Sequence, residues 1–240
     1  MTRIHRLLTV LIVMLVAAVV PVVARADQAA PAESPLLTGI RAAHHPGFDR
    51  VVFDFFGGVP AFREGRYVPT LKADPADFPI KVAGRAILQV SFRDARAHKL
   101  DGTDTSPNRT VFALPNVLTA VQSGDFEGVV TYGIGLAANQ PFRFSTQSNP
   151  PRVVLDIDTD FSWVNRPVWF VDPSANVASV LRPITTSSQA HSLMDRLFAG
   201  PTAGERSSGL VFVRSGATDY RNLTVSSGAV ARVQLVGGCT

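Results

Sequence analysis

The hexapeptide Arg50-Val51-Val52-Phe53-Asp54-Phe55 returns roughly a hundred residues later as Arg152-Val153-Val154-Leu155-Asp156-Ile157. Both copies have the make-up of a half-buried β-strand, in which successive side chains leave on opposite faces. Val51, Phe53 and Phe55 then point one way, with Val52 and Asp54 the other. The second copy repeats the division with Val153, Leu155 and Ile157 against Val154 and Asp156. Two such strands from the two ends of one segment can lie near each other and close a β-sandwich. Coincidence is the competing explanation, because two valines, a hydrophobe and an acid are a common strand composition.

The chain between the copies keeps the same grammar. Thr38 to Ala43, Phe62 to Leu71 and Arg85 to Phe92 read as strands, and in the last of these Leu88, Val90 and Phe92 face a core. His44-His45-Pro46-Gly47 reads as a turn, and Gly57 to Pro60 as a stop. Asp94 to Arg109 is polar with Gly and Pro and reads as an exposed loop. Val117 to Gly124 and Gly128 to Gly135 form a hairpin, Phe142 to Thr146 adds a strand, and 148–151 turns into the second copy. No segment of 38–160 has a helical period, so this part is expected to be mostly β, a sandwich or barrel.

After a junction at 161–166 the pattern changes. Pro167 to Val171 and Ala178 to Arg182 read as strands, followed by Thr185 to Ser188 as N-cap hydroxyls. Ala190, Leu193, Met194, Leu197 and Phe198 then form one apolar helical face, ended by Gly200 and Pro201. Leu210 to Val213 is apolar, and Tyr220 to Ser226 with Ala229 to Val236 reads as a hairpin.

The first 26 residues have a basic front (Arg3, His5, Arg6), an apolar run from Leu7 to Val23, and Ala24-Arg25-Ala26 before a cut expected between Ala26 and Asp27. That is the layout of a secretory signal peptide, and an uncleaved anchor is the alternative. Residues 27–37 read as a flexible leader. Removing Arg3, Arg6 and Arg25 from the 23 basic residues leaves 20 against 19 acidic ones. So balanced a chain offers no electrostatic case for nucleic acid or an anionic membrane as partner. Cys239 is the single cysteine, which excludes an intramolecular disulfide. Lysine is confined to Lys72, Lys81 and Lys99 while arginine and alanine abound, a bias associated with GC-rich bacterial coding.

Several clusters bear on chemistry. His44 and His45 with Asp49 are the best metal-like group, but a further ligand is missing, so no metal is assigned. Asp54/Asp156 and Asp125/Glu127 are carboxylate pairs, read as outward strand residues and a hairpin cap rather than as hydrolytic acids. His191 is expected to face solvent off the helix's apolar side. Gly133-Ile134-Gly135 lacks the later glycine of a phosphate cradle and reads as a strand end. No nucleophile elbow is present. Asn108 and Asn222 head glycosylation tripeptides that matter only in a eukaryotic route. Phe53, Phe55, Phe56, Phe62 and Tyr67 could make a sugar-stacking face, with core packing the commoner use. No catalytic, cofactor or metal residue is assigned, and the ligand-binding residues are left unknown.

Two resemblances add to this reading. LTGIRAAHHPGFDRVVFDFFGGVP at 37–60, VAGRAILQVSF at 82–92, GDFEGVVTYGIGL at 124–136 and PFRFSTQSNPPRVVLDID at 141–158 make the first segment resemble the AMIN-like domains of secreted actinobacterial proteins. VWFVDPSANVASVLRPI at 168–184, LMDRLFAGPT at 193–202 and GAVARVQLVGG at 228–238 make the second resemble part of a GerMN domain. The expected architecture is a β-sandwich-like AMIN-like domain at 38–160, a linker at 161–166, and a small α+β GerMN-like module at 167–240, incomplete at its C-terminal end. The resemblance implies an exported, non-catalytic cell-envelope protein without cofactor that binds cell-wall glycan or an envelope protein, with no membrane span after signal cleavage. A self-assembling envelope module and a metal-dependent wall hydrolase are the alternatives.

Overall fold

A computed structural model describes residues 33–212, 216–227 and 230–237. The expected signal peptide with its cleavage point, the leader up to residue 32, and Cys239 lie outside the described residues. In chain order the first strands are β1 (Leu36–His45), β2 (Phe48–Phe56), β3 (Phe62–Val68), β4 (Leu71–Lys72), β5 (Pro79–Ile80) and β6 (Ala86–Arg93). β7 (Arg109–Val111), β8 (Val117–Phe126), β9 (Val129–Leu136), β10 (Phe142–Ser148) and β11 (Pro151–Asp158) follow.

Two antiparallel sheets build the sandwich: a four-stranded one in the order β1-β2-β11-β10 and a five-stranded one in the order β3-β6-β9-β8-β7. The two copies of the hexapeptide are therefore neighbours. They run antiparallel with Val52 opposite Val154, which sets Arg50 opposite Asp156 and Arg152 opposite Asp54. Their inward residues are the core: Val51, Phe53, Leu155 and Ile157 have no exposed surface and pack against Leu88, Val90 and Phe92 of β6. Phe53 meets Phe92 edge to face at 4.8 Å. Each such side chain removed from water stabilises the fold by about 1.5–3 kcal/mol.

Two sequence expectations change in this half. β1 begins at Leu36, inside the supposed leader, and runs to His45, so only Pro46-Gly47 remains as the turn. The stretch 94–109 is no loose loop. Ala95 and Ala97 are buried in the core, and Arg96 exchanges backbone hydrogen bonds with Pro35 and Leu37. Its polar letters hide small residues that fill the sandwich edge. Gly133-Ile134-Gly135 does lie at the C-terminal end of a strand, β9, with only Leu136 following it there.

The glycines of β9 have a steric purpose. Residues 69–84 cross the outer face of the five-stranded sheet as a strap, with β4 paired to β5. A Cβ on Gly133 would sit 2.5 Å from Leu71 Cδ2, and one on Gly135 would sit 2.2 Å from the carbonyl oxygen of Ala83. Glycine inside a strand often marks close approach by another backbone, and here it does. Leu71 is buried over the sheet and the amide of Asp74 donates to the carbonyl of Ser123 at 2.7 Å.

Among the described residues the C-terminal segment has two hairpins with two helices between them. β12 (Trp163–Val171) pairs with β13 (Val177–Thr185), so the expected linker at 161–166 is mostly strand. A 3-10 turn (Thr186–Ser188) leads into α1 (Gln189–Ala199), then a short α2 (Ala203–Ser207), β14 (Ala217–Val225) and β15 (Ala231–Gly237). Of the apolar stretch Leu210 to Val213, Val213 lies outside the described residues, and among the others Val211 makes strand contact, bridging Val171 in both directions.

α1 buries a different side from the one its letters advertise. Ser192, Asp195, Arg196 and Ala199 are buried, while Leu193, Met194, Leu197 and Phe198 are only half-covered. Specific bonds explain this. Ser192 Oγ accepts from the amide of Thr185, Asp195 accepts from the Tyr220 hydroxyl at 2.7 Å, and Arg196 Nη2 donates to the carbonyl of Pro115 at 2.8 Å. The last bond ties the helix to the sandwich. Ser188 sits at the N-cap without a capping bond, whereas Thr202 and Glu205 form a full capping box on α2.

Candidate binding groove

The two outer faces of the sandwich carry different chemistry. On the four-stranded sheet the register turns the repeated hexapeptide into a ladder of ion pairs. Arg50 grips Asp156 through two bonds of 2.7 and 2.8 Å, and Arg152 reaches Asp54 at 2.9 Å. Arg41 adds a second cation to Asp54 at 2.8 Å, and Arg143 bonds Asp158 at 3.0 Å. Hydrogen bonding to Arg50 outweighs burial and holds the Asp156 carboxyl below its ordinary value. For Asp54 burial pushes upward, but Arg41 and Arg152 together win and its pKa also falls. Arg50 and Arg143 also flank the Phe48 ring, at 5.2 and 5.1 Å from its centroid. These groups satisfy one another.

The opposite face is open. Arg66 on β3, Gln89 on β6 and Gly133 on β9 form one row across three strands. The strap rides over the glycine end of that row, because Gly133 offers no side chain to obstruct Leu71. Over the Arg66–Gln89 end it leaves a cleft of about 590 Å³, walled by Thr70, Lys72 and Asp74. Thr131 lies at its floor, bonded to Ser91 at 3.2 Å. Lys72 is engaged with Asp77 at 2.8 Å. Arg66, Gln89 and Asp74 make no side-chain hydrogen bond or ion pair among the described residues. A donor fork, an amide and a carboxylate thus face one polar cleft, able to donate to and accept from the hydroxyls and amides of a ligand.

The clusters singled out from the sequence are mostly engaged elsewhere. His44 and His45 leave opposite faces of β1 and do not converge. His45 stacks on Phe48 at 5.0 Å, while His44 Nδ1 bonds Asp49 at 2.8 Å and meets the Trp163 ring edge-on. Asp49 is fully buried, and its other oxygen accepts from the amides of Asn116 and Val117 at 2.6 and 2.9 Å. Its negative charge also supports Arg196, whose pKa burial brings down to about 9. Among the described residues no three His, Cys, Asp or Glu side chains gather as a metal site.

Asp54 and Asp156 do point outward, but as members of the ladder. Asp125 does not cap its hairpin: it binds His98 and accepts from the amide of Ala97 at 2.9 Å, anchoring the 94–109 stretch. The hairpin turn is Glu127-Gly128, both at positive φ. His191 is half-covered rather than solvent-facing, since its ring lies beside Tyr220 and its carbonyl accepts from that hydroxyl at 3.1 Å. Phe53 and Phe55 belong to the core, Tyr67 donates to the carbonyl of Gln140, and Phe56 and Phe62 face outward. The groove residues Arg66, Gln89 and Asp74 were not singled out from sequence. Each is a lone polar letter on a separate element, and only the crossing of the strap unites them.

A sandwich with one self-paired face and one open polar face fits a binding module, and comparison with protein families agrees. Residues 35–159 match the AMIN-like domain family, and the chain belongs to it. The first and last strands of the sandwich, β1 and β11, fall within that match, as do both outer faces. An AMIN-like domain suggests a cell-envelope-associated binding module. No curated protein and no solved structure matches the chain. Among the described residues no helix is long and apolar enough to cross a membrane.

Proposed function

We propose that this protein is an exported, non-catalytic component of a bacterial cell envelope that binds cell-wall glycan in the cleft beside Arg66, Gln89 and Asp74. Membership of the AMIN-like family over 35–159 carries the reading. The cleft supports the choice of ligand, because its unpaired donors and acceptors suit the hydroxyl, acetamido and carboxylate groups of a wall polymer. Its volume of about 590 Å³ is that of a small-ligand site. The test is sedimentation with purified peptidoglycan. The intact protein is expected in the pellet, and the Arg66→Ala/Gln89→Ala variant in the supernatant. A variant that pellets as well as the parent would remove the cleft from the proposal, and failure of the parent to pellet would remove glycan binding.

A second reading has its own observation. Trp169, Val177 and Leu181 lie on one face of the β12–β13 hairpin and are 51%, 70% and 65% exposed. Together with the GerMN-like sequence of this segment, that apolar face favours self-association within the envelope. Sedimentation velocity over a range of concentrations decides it. Trp169→Ser/Leu181→Ser is expected to abolish any dimer.

A further inference from the structure

A second cavity, also of about 590 Å³, opens where the C-terminal segment meets the sandwich edge. Its character differs from that of the groove. Val111, Phe198, Leu210 and Phe212 supply an apolar wall, and Phe198 continues it by packing against Phe212 at 5.7 Å and Tyr220 at 5.8 Å. At the rim stand Arg109 of β7 and Arg206 of α2, and among the described residues no aspartate or glutamate lines the cavity. Neither arginine has a carboxylate partner among the described residues. Each makes one hydrogen bond to a carbonyl: Arg206 to Pro201 at 2.6 Å and Arg109 to Lys81 at 3.5 Å. The third cation, Lys81, is already joined to Asp219 at 2.7 Å. Nearby Glu205 is likewise committed, to Arg182 and the amide of Thr202.

From this pairing of an apolar wall with two uncompensated guanidinium groups, we infer that the cavity binds a small amphipathic anion: one acidic head between Arg109 and Arg206, and an acyl-like body against Phe198 and Phe212. Two like charges beside one apolar cavity are a poor arrangement without a counter-charge. Part of the Arg109 side chain stays open to solvent, yet its apolar surroundings first and the charge of Arg206 second bring its pKa below the ordinary value. An anionic head answers both, and guanidinium groups suit it because they offer paired donors to carboxylate, sulfonate or phosphate oxygens. The apolar body adds a contribution that scales with the area it covers. This site is distinct from the glycan cleft and shares no lining residue with it.

The probe is octanoate, titrated into the intact protein by calorimetry, beside octanol and acetate. Saturable binding of octanoate is expected, with octanol, which lacks the charge, and acetate, which lacks the body, both far weaker. Either single change, Arg109→Gln or Arg206→Gln, should weaken octanoate about tenfold and the double change by more, since one charge-assisted bond is worth roughly that factor. Both side chains are solvent-accessible, so the variants should fold, which circular dichroism checks. Three results would each overturn the inference: no saturable octanoate binding, an unchanged affinity in the double variant, or octanol binding as tightly as octanoate.

Discussion

The two outer faces of the sandwich solve one problem in two ways. Each sheet must present polar or covered residues to the outside. The four-stranded sheet closes its face with charge: Arg50, Arg152, Asp54 and Asp156 pair across β2 and β11. The five-stranded sheet closes part of its face with chain, laying residues 69–84 over Gly133 and Gly135. Charges that pair with each other are unavailable to a ligand. A strap that covers only one end of a row leaves the other end, Arg66 and Gln89, free to meet one. The proposed binding site therefore lies on the face whose closure is incomplete.

The largest effect expected from breaking this comparison is at the strap. Gly133→Val would drive a branched side chain into Leu71, and overpacking of this kind costs about 1–3 kcal/mol. Thermal unfolding should show a drop of several degrees, and glycan sedimentation should fall with it as the cleft wall shifts. A drop in neither would mean that the strap is not held against β9. Next comes the ladder. A double-mutant cycle on Arg50 and Asp156 should return a coupling of about 1 kcal/mol, typical of a partly exposed bidentate pair, with glycan binding unchanged. An acid titration sharpens the same point. Asp54 and Asp156 have depressed pKa values in the fold, so their contribution is fully present above the ordinary aspartate range near 3.9 and is lost as pH falls through the lower folded values. Asp54→Asn/Asp156→Asn should therefore start less stable at pH 6 and lose less on the way to pH 2. The smallest effect on stability belongs to Arg66→Ala/Gln89→Ala, within about 0.5 kcal/mol, as usual for unpaired surface residues, Arg66 being exposed and Gln89 half-buried. That variant is informative because its binding should change while its melting temperature does not.

How much of this can be read from letters depends on what each residue meets. Strand positions are legible in RVVFDF, RAILQVSF and RVVLDI because alternation and burial coincide there. The partnership of the two hexapeptides is half-legible: an arginine at one end and an aspartate four residues on will pair antiparallel, yet nothing local says that β2 and β11 are adjacent. The buried side of α1 is illegible. Asp195 and Arg196 look like solvent residues until Tyr220 and Pro115, from distant elements, supply their bonds. The purpose of Gly133 and Gly135 is illegible for the same reason, since the strap above them comes from a separate stretch rich in Pro, Asp and Lys. The groove inherits that illegibility, being made by the crossing rather than by a motif.

The twin strands carry one more implication. Arginine leads each hexapeptide and aspartate follows four places later, so either strand is complementary to a copy of itself as fully as to its twin. Two molecules aligning RVVFDF head to tail would set Arg50 against Asp54 twice over. Charge therefore cannot tell the right mate from a stranger's strand; tethering within one chain must do so, by keeping the twin at a higher local concentration than any rival.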